Sequence, residues 1–101
     1  MIKHIVMFKF KEQAEGRSRS ENVAMTKAML DALPAQIPQI TSSLTETGCA
    51  HADTGNYDLI LTSTFQTIED LADYIVHPAH QAVGAFMRPL RENRACIDIE
   101  V

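Results

Sequence analysis

The nine residues Ile2-Lys3-His4-Ile5-Val6-Met7-Phe8-Lys9-Phe10 decide the fold. Their side chains alternate, with Ile2, His4, Val6, Phe8 and Phe10 on one face and Lys3, Ile5, Met7 and Lys9 on the other, which is the period of two of a β-strand. The first face is apolar except for His4, so it belongs against a core. The second face holds Ile5 and Met7 between lysines and must also be covered over part of its length, by a second layer or a second subunit.

Outward from this strand, residues 12–17 form a polar loop, and Ser18-Arg19-Ser20-Glu21 has the spacing of a capping box that opens a helix. Val23, Thr26, Leu30 and Leu33, widened by Met29, make its inward stripe, and Pro34 and Pro38 end it in a short turn. Residues 40–49, rich in Thr and Ser with Ile40 and Leu44 on one face, read as a partly exposed strand, and Asp53-Thr54-Gly55-Asn56 as a turn. Alternation returns from Tyr57 to Phe65, with Tyr57, Leu59, Leu61, Ser63 and Phe65 sharing a face. Thr67-Ile68-Glu69-Asp70 caps a second helix, whose stripe is expected to be Ile68, Leu71, Ala72 and Ile75. That helix stops near His77 because Pro78 follows, and Pro78 opens a further helix through Val83 and Phe86 towards Pro89. Ala95, Ile97, Ile99 and Val101 alternate with Cys96, Asp98 and Glu100 in a last strand.

The order βαββαβ predicts an α+β, ferredoxin-like monomer: a four-stranded antiparallel sheet with its helices on one face. The bare face, with Ile5, Met7 and Ile60, calls for a homodimer packed sheet to sheet.

Composition sets the outer limits. A chain of 101 residues, 46% apolar and 22% charged, is one globular domain spanning 1–101. Nine basic against thirteen acidic side chains give a net charge of -4, which provides no electrostatic footprint for nucleic acid or an anionic membrane. No apolar run approaches the roughly 20 residues of a membrane span, and Met1 leads into charged, alternating sequence instead of a signal peptide, so the expected location is cytoplasmic. Cys49 and Cys96 lack CxxC spacing and are expected as reduced thiols. Glycine-rich phosphate loops, a G-x-S-x-G elbow and H-E-x-x-H are absent.

The opening Lys3-His4-Ile5-Val6-Met7-Phe8-Lys9-Phe10 strand, Tyr57-Asp58-Leu59, and Tyr74-Ile75-Val76-His77-Pro78-Ala79-His80 together resemble the stress-responsive dimeric α/β-barrel family over essentially the whole chain. The resemblance implies a ferredoxin-like monomer whose sheet pairs with a second copy to close a barrel. A polyketide-cyclising type within that family performs a cofactor-free aldol condensation that retains the carboxylate, using a His and a Tyr as acid and base beside a further pocket His. Carried over, these roles fall on His80, Tyr74 and His4. Leu59 stands where that type has another pocket His, and Val23 and Thr26 stand where it has aromatics. The resemblance implies at most a hard cation held by main-chain carbonyls around the Pro34 to Pro38 turn, and no cofactor.

Two functional classes follow. In the first, His80 removes a proton α to a carbonyl while Tyr74 holds the developing oxyanion, in a cyclase, isomerase or lyase acting on a small apolar carbonyl compound. The pocket then lies between the His4-Val6-Phe8 face and the helix bearing Tyr74, lined by Val6, Phe8, Val23, Thr26, Leu59, Leu61 and Phe86. In the second, the same pocket serves a non-catalytic ligand-binding or stress-related protein, and His4 is a hydrogen-bonded core histidine. A zinc site from His4, His77 and His80 is disfavoured, because His77 and His80 straddle the proline break; His77 reads as a cap on that junction and no metal is expected. Lys9 and Asp98 are expected to pair on the barrel-side face. Arg88, Arg91 and Arg94 read as a solvated cluster, or as a greeting for a carboxylate at the pocket mouth.

Overall fold

The computed structural model describes all 101 residues, Met1 to Val101. The first strand, β1 (Ile2–Phe10), lies inside a four-stranded antiparallel sheet with β4 (Ile40–Thr47), β5 (Leu59–Phe65) and β6 (Arg91–Glu100), in the order β4-β5-β1-β6. Between β1 and β4 the chain forms a small hairpin, β2 (Gln13–Ala14) and β3 (Arg17–Ser18), then α1 (Arg19–Asp31) and the single turn α2 (Leu33–Gln36). Between β5 and β6 it forms α3 (Ile68–Val76) and α4 (Pro78–Met87). This is the ferredoxin-like α+β arrangement that the alternation predicts.

The buried side chains of β1 are Ile2, His4, Val6, Phe8 and Phe10, and those of β5 are Leu59, Leu61, Ser63 and Phe65. With Leu30, Leu33, Ile37, Leu71, Tyr74, Val83, Met87 and Leu90 they form one core between sheet and helices. The other face of the sheet is bare: Leu44 is 57% exposed and Ile97 59%, with Met7 and Ile99 also open to solvent. No helix is long and apolar enough to cross a membrane.

Local chemistry accounts for the element ends. Ser18 accepts from the Glu21 amide while Glu21 reaches back to the Ser18 amide, completing the capping box at α1. Thr67 caps α3 through the Asp70 amide, and Nδ1 of His77 accepts from the Ala79 amide at the start of α4, with Pro78 in the first turn. Asp53 turns the β4–β5 connection by accepting from the Gly55 amide.

Four expectations need correction. Residues 12–17 are not plain loop: Glu15 and Gly16 both have positive φ, the backbone twist that joins two short strands in a two-residue turn. Ile40 and Leu44 do not share a face, because the β4–β5 register shifts between Ile40 and Ser42, so that Ile40 packs on the core while Leu44 points out. In α3 the buried residues are Leu71 and Tyr74, and Ile68, Ala72 and Ile75 are exposed. The helix is rotated because the large Tyr74 ring, set 5.0 Å from Phe65, offers more burial than the aliphatic stripe. Finally, Lys9 and Asp98 are not partners. Asp98 lies across from His4 in the β1–β6 register and so faces the helix side, whereas Lys9 donates to the Thr54 and Asn56 carbonyls at the other end of the strand.

Candidate active site

The site grows from β1 and its edge neighbour. Cross-strand register sets His4 opposite Asp98 and Val6 opposite Cys96, so the alternate residues Arg94, Cys96 and Asp98 run along the helix side of β6. The helices pack over β4, β5 and β1, which leaves this row on β6 exposed beside a buried His4. Nδ1 of His4 is 2.5 Å from the Asp98 carboxylate and 3.7 Å from Sγ of Cys96. The imidazole, only 4% exposed, is thereby held by a partner at the rim.

Above it lies Tyr74, 1% exposed, with its ring centroid 6.0 Å from that of His4 and 4.4 Å from that of His80. His80 arrives at the same place because Pro78 breaks the helical ladder and starts α4, whose first turn folds back on the end of α3. Its Nδ1 hydrogen-bonds the Ile75 carbonyl at 2.9 Å. A carbonyl only accepts, so this bond puts the proton on Nδ1 and leaves the Nε2 lone pair as the basic site.

Burial shapes the acidities. It pushes the Tyr74 phenol up to about 12, against the opposing pull of the Arg94 guanidinium, so the group stays protonated at neutral pH. Burial also pulls His80 below the usual histidine value, the Ile75 hydrogen bond working the other way and the charges of His4, Arg94 and His77 adding to the decrease. Cys96 is raised, mainly by burial and then by the Asp98 carboxylate.

The structure therefore brings His4, Tyr74 and His80 to one place. Val6, Phe8, Leu59 and Leu61, expected to line the pocket, are packed in the core, as is Thr26, while Val23 and Phe86 are half-buried at its margin. Phe86 lies under the Arg17 guanidinium, 5.6 Å away. A cleft of about 780 Å³ opens elsewhere, between the start of α1 and residues 48–58, bordered by Arg19, Lys27, Tyr57 and Asp58. A second, about 540 Å³, lies by Met7, Tyr57 and Ile60. Sequence reasoning missed the partnership of Cys96 and Asp98 with His4. The signal that finds it is register: alternation alone gives each strand's faces, and only the offset between strands says which face of β6 meets which face of β1. It also missed Asn22, fully buried in α1, which accepts from Nε of Arg17 and donates to the Ala14 carbonyl, tying the β2–β3 hairpin to the helix.

Comparison with known proteins gives this geometry its context. Olivetolic acid cyclase of Cannabis sativa is 26% identical over 102 residues, covering 96% of this chain and 93% of the cyclase. A dimeric, ferredoxin-like protein of unknown function from Bacteroides fragilis superposes with a TM-score of 0.87 at 29% identity, over 99% of this chain and 95% of its own. The hydroxynitrile lyase of Passiflora edulis superposes with a TM-score of 0.80 at 18% identity, over 99% of this chain and 92% of that one, and shares the fold. Residues 2–101 match the stress responsive A/B barrel domain, and the chain belongs to that family, Dabb.

Proposed function

We propose that this protein is a homodimeric, cofactor-free acid–base enzyme of the cyclase, isomerase or lyase type, acting on a small apolar carbonyl compound. The observation that carries the reading is the contact of the Tyr74 ring with the His80 imidazole beside a third aromatic group, His4, held by Asp98. Each group then has a distinct role. His80, neutral at physiological pH with Nε2 free of its proton, takes the proton α to the carbonyl. Tyr74, kept protonated by burial, donates to the oxygen on which negative charge develops. Proton removal leaves an enolate, whose carbon then attacks a second carbonyl of the same molecule in the cyclase version. His4 borders the pair, and Arg94, close enough to act on both Tyr74 and His80, is placed to attract a substrate carboxylate. The same two groups suit a hydroxynitrile, from which a base takes the hydroxyl proton as cyanide leaves.

Assembly supports this reading. The bare sheet face exposes the large apolar side chains of Met7, Leu44, Ile97 and Ile99, and the Bacteroides fragilis relative, with its shared fold, is dimeric. Met7→Asp is expected to give a monomer or an unfolded chain by light scattering, since a charge would be buried unpaired; a folded dimer in that variant refutes this face as the interface.

The test of catalysis is turnover of a panel of linear polyketides and hydroxynitriles by the wild type, His80→Ala and Tyr74→Phe. Loss of turnover by roughly 10²–10⁴-fold in either variant, with far-ultraviolet circular dichroism unchanged, is the expected result. Unchanged turnover in both variants refutes the acid–base pair. The second reading, a non-catalytic ligand-binding protein, is favoured by the near-complete burial of Tyr74 and His4. It expects ligand-dependent stabilisation of the wild type with no turnover.

A further inference from the structure

The cluster at the β6 rim combines three donor types. Nδ1 of His4, Sγ of Cys96 and a carboxylate oxygen of Asp98 all lie within 4.8 Å of one another. The zinc set weighed from the sequence, His4 with His77 and His80, is not assembled in this way: His77 spends its Nδ1 on the Ala79 amide and His80 its Nδ1 on the Ile75 carbonyl. We propose that His4, Cys96 and Asp98 form a three-ligand site for a borderline-soft divalent cation of the Zn²⁺ class.

Geometry supports the assignment. In a tetrahedral zinc site with bonds of about 2.0–2.1 Å to nitrogen and about 2.3 Å to sulfur, nitrogen and sulfur lie about 3.6 Å apart. The His4 Nδ1 to Cys96 Sγ separation is 3.7 Å. Nitrogen and carboxylate oxygen should lie about 3.4 Å apart in such a site, whereas Nδ1 and Oδ1 are hydrogen-bonded 2.5 Å apart. The side chain of Asp98 is 42% exposed and can swing outward to make up the difference. Cys96 is exposed as well, so the ion reaches the site from solvent without opening the core. His4 supplies the rigid, buried ligand, fixed by its place in the central strand β1.

Charge supports it too. The thiol gives its proton to solvent, and the proton on Nδ1 of His4 is replaced by one on Nε2, so the ligands are a thiolate, a carboxylate and a neutral imidazole. Two negative charges then cancel the two positive charges of the ion. Three protein ligands leave the fourth position open to water or a small anion. The donor set of one nitrogen, one sulfur and one oxygen disfavours Mg²⁺ and Ca²⁺, which take oxygen ligands.

The experiment is Co²⁺ titration of the purified, reduced full-length protein, followed by its visible and near-ultraviolet spectrum, with Zn²⁺ competition and thermal unfolding in parallel. A thiolate-to-cobalt charge-transfer band that saturates at one ion per chain, is displaced by Zn²⁺ and is accompanied by a rise in Tm is the expected result. Cys96→Ser should lose the band, Asp98→Asn should weaken binding, and Cys49→Ser, at an exposed thiol outside the cluster, should keep it. Cys96 and Asp98 are exposed, so both variants should fold, as circular dichroism would verify. Absence of the band in the folded wild type, its persistence in Cys96→Ser, or its loss in Cys49→Ser would overturn the proposal. The readout does not depend on turnover, so it stands or falls apart from the acid–base reading.

Discussion

Two neighbouring parts of the same sheet face behave differently. Over β5 and the middle of β1, the side chains of Val6, Phe8, Leu59, Leu61 and Phe65 are closed under the helices, and the surface is continuous apolar packing. One strand away, on β6, the same face carries Arg94, Cys96 and Asp98 and remains open. His4 stands at the boundary: its ring is as buried as Phe8, but its hydrogen-bond partner belongs to the open row. The difference teaches how a small α+β domain makes room for chemistry. Helices wide enough to seal three strands leave the fourth uncovered, and a polar residue at the boundary is desolvated on one side while keeping access to solvent groups on the other. Such a boundary shifts acidities, as at Tyr74 and His80, without leaving a charge stranded in the core.

The contrast can be broken most sharply from the packed side. Phe65, fully buried against Tyr74, should cost about 3–5 kcal/mol when replaced by Ala, a large part of the stability of a domain this size, read by urea denaturation. A cost below about 1 kcal/mol would mean that this part of the core is no better packed than the edge. A gain is expected within the same region at Thr26, whose hydroxyl is buried without a hydrogen-bond partner. Thr26→Val keeps the shape and removes the orphaned group, and should stabilise by about 1 kcal/mol in the same assay; a loss would show that the hydroxyl has a partner in solution.

The edge should respond more mildly. Asp98→Asn leaves a hydrogen-bonding group beside His4 at a part-exposed site, and its expected cost is no more than about 1 kcal/mol. A cost like that of Phe65→Ala would erase the distinction between the two regions. The smallest effect is that of pH on His80. Its folded-state pKa lies below the ordinary value of 6.5, so the unfolded chain takes up the proton first as pH falls. Stability should therefore decline as pH drops through 6.5 towards the folded-state pKa, and gain nothing from this group above 6.5. Comparing wild type with His80→Gln isolates the slope, and the acid limb of any rate profile should fall on the acid side of 6.5 for the same reason. An identical pH dependence in the two proteins would remove His80 from the titrating set.

Legibility followed the range of the interactions. The strand at residues 2–10 was readable because its alternation is local and strong, and the caps at Ser18 and Thr67 because they involve side chains three residues from their targets. His4, Tyr74 and His80 are singled out only through the resemblance to the family's cyclising type, whereas His77 is legible as a cap from its place before Pro78. The face of α3 was misread because helical periodicity ranks aliphatic residues together and cannot weigh a single tyrosine ring that finds Phe65. The bulge in β4 was invisible, since one extra residue changes the facing of Leu44 without altering the composition.

By itself, then, the sequence determined the βαββαβ order of the main elements, the core-facing side of β1, the break before Pro78, and the net negative charge. These depend on contacts within a few residues or on counting. Only the tertiary structure decided that Asp98 meets His4 and not Lys9, that Cys96 joins them, and that Tyr74 and not Ile75 faces inward. Those outcomes depend on strand register and helix rotation, which are chosen by summing packing over the whole core, and residues 94 positions apart in the chain carry no local mark of the neighbour they will acquire.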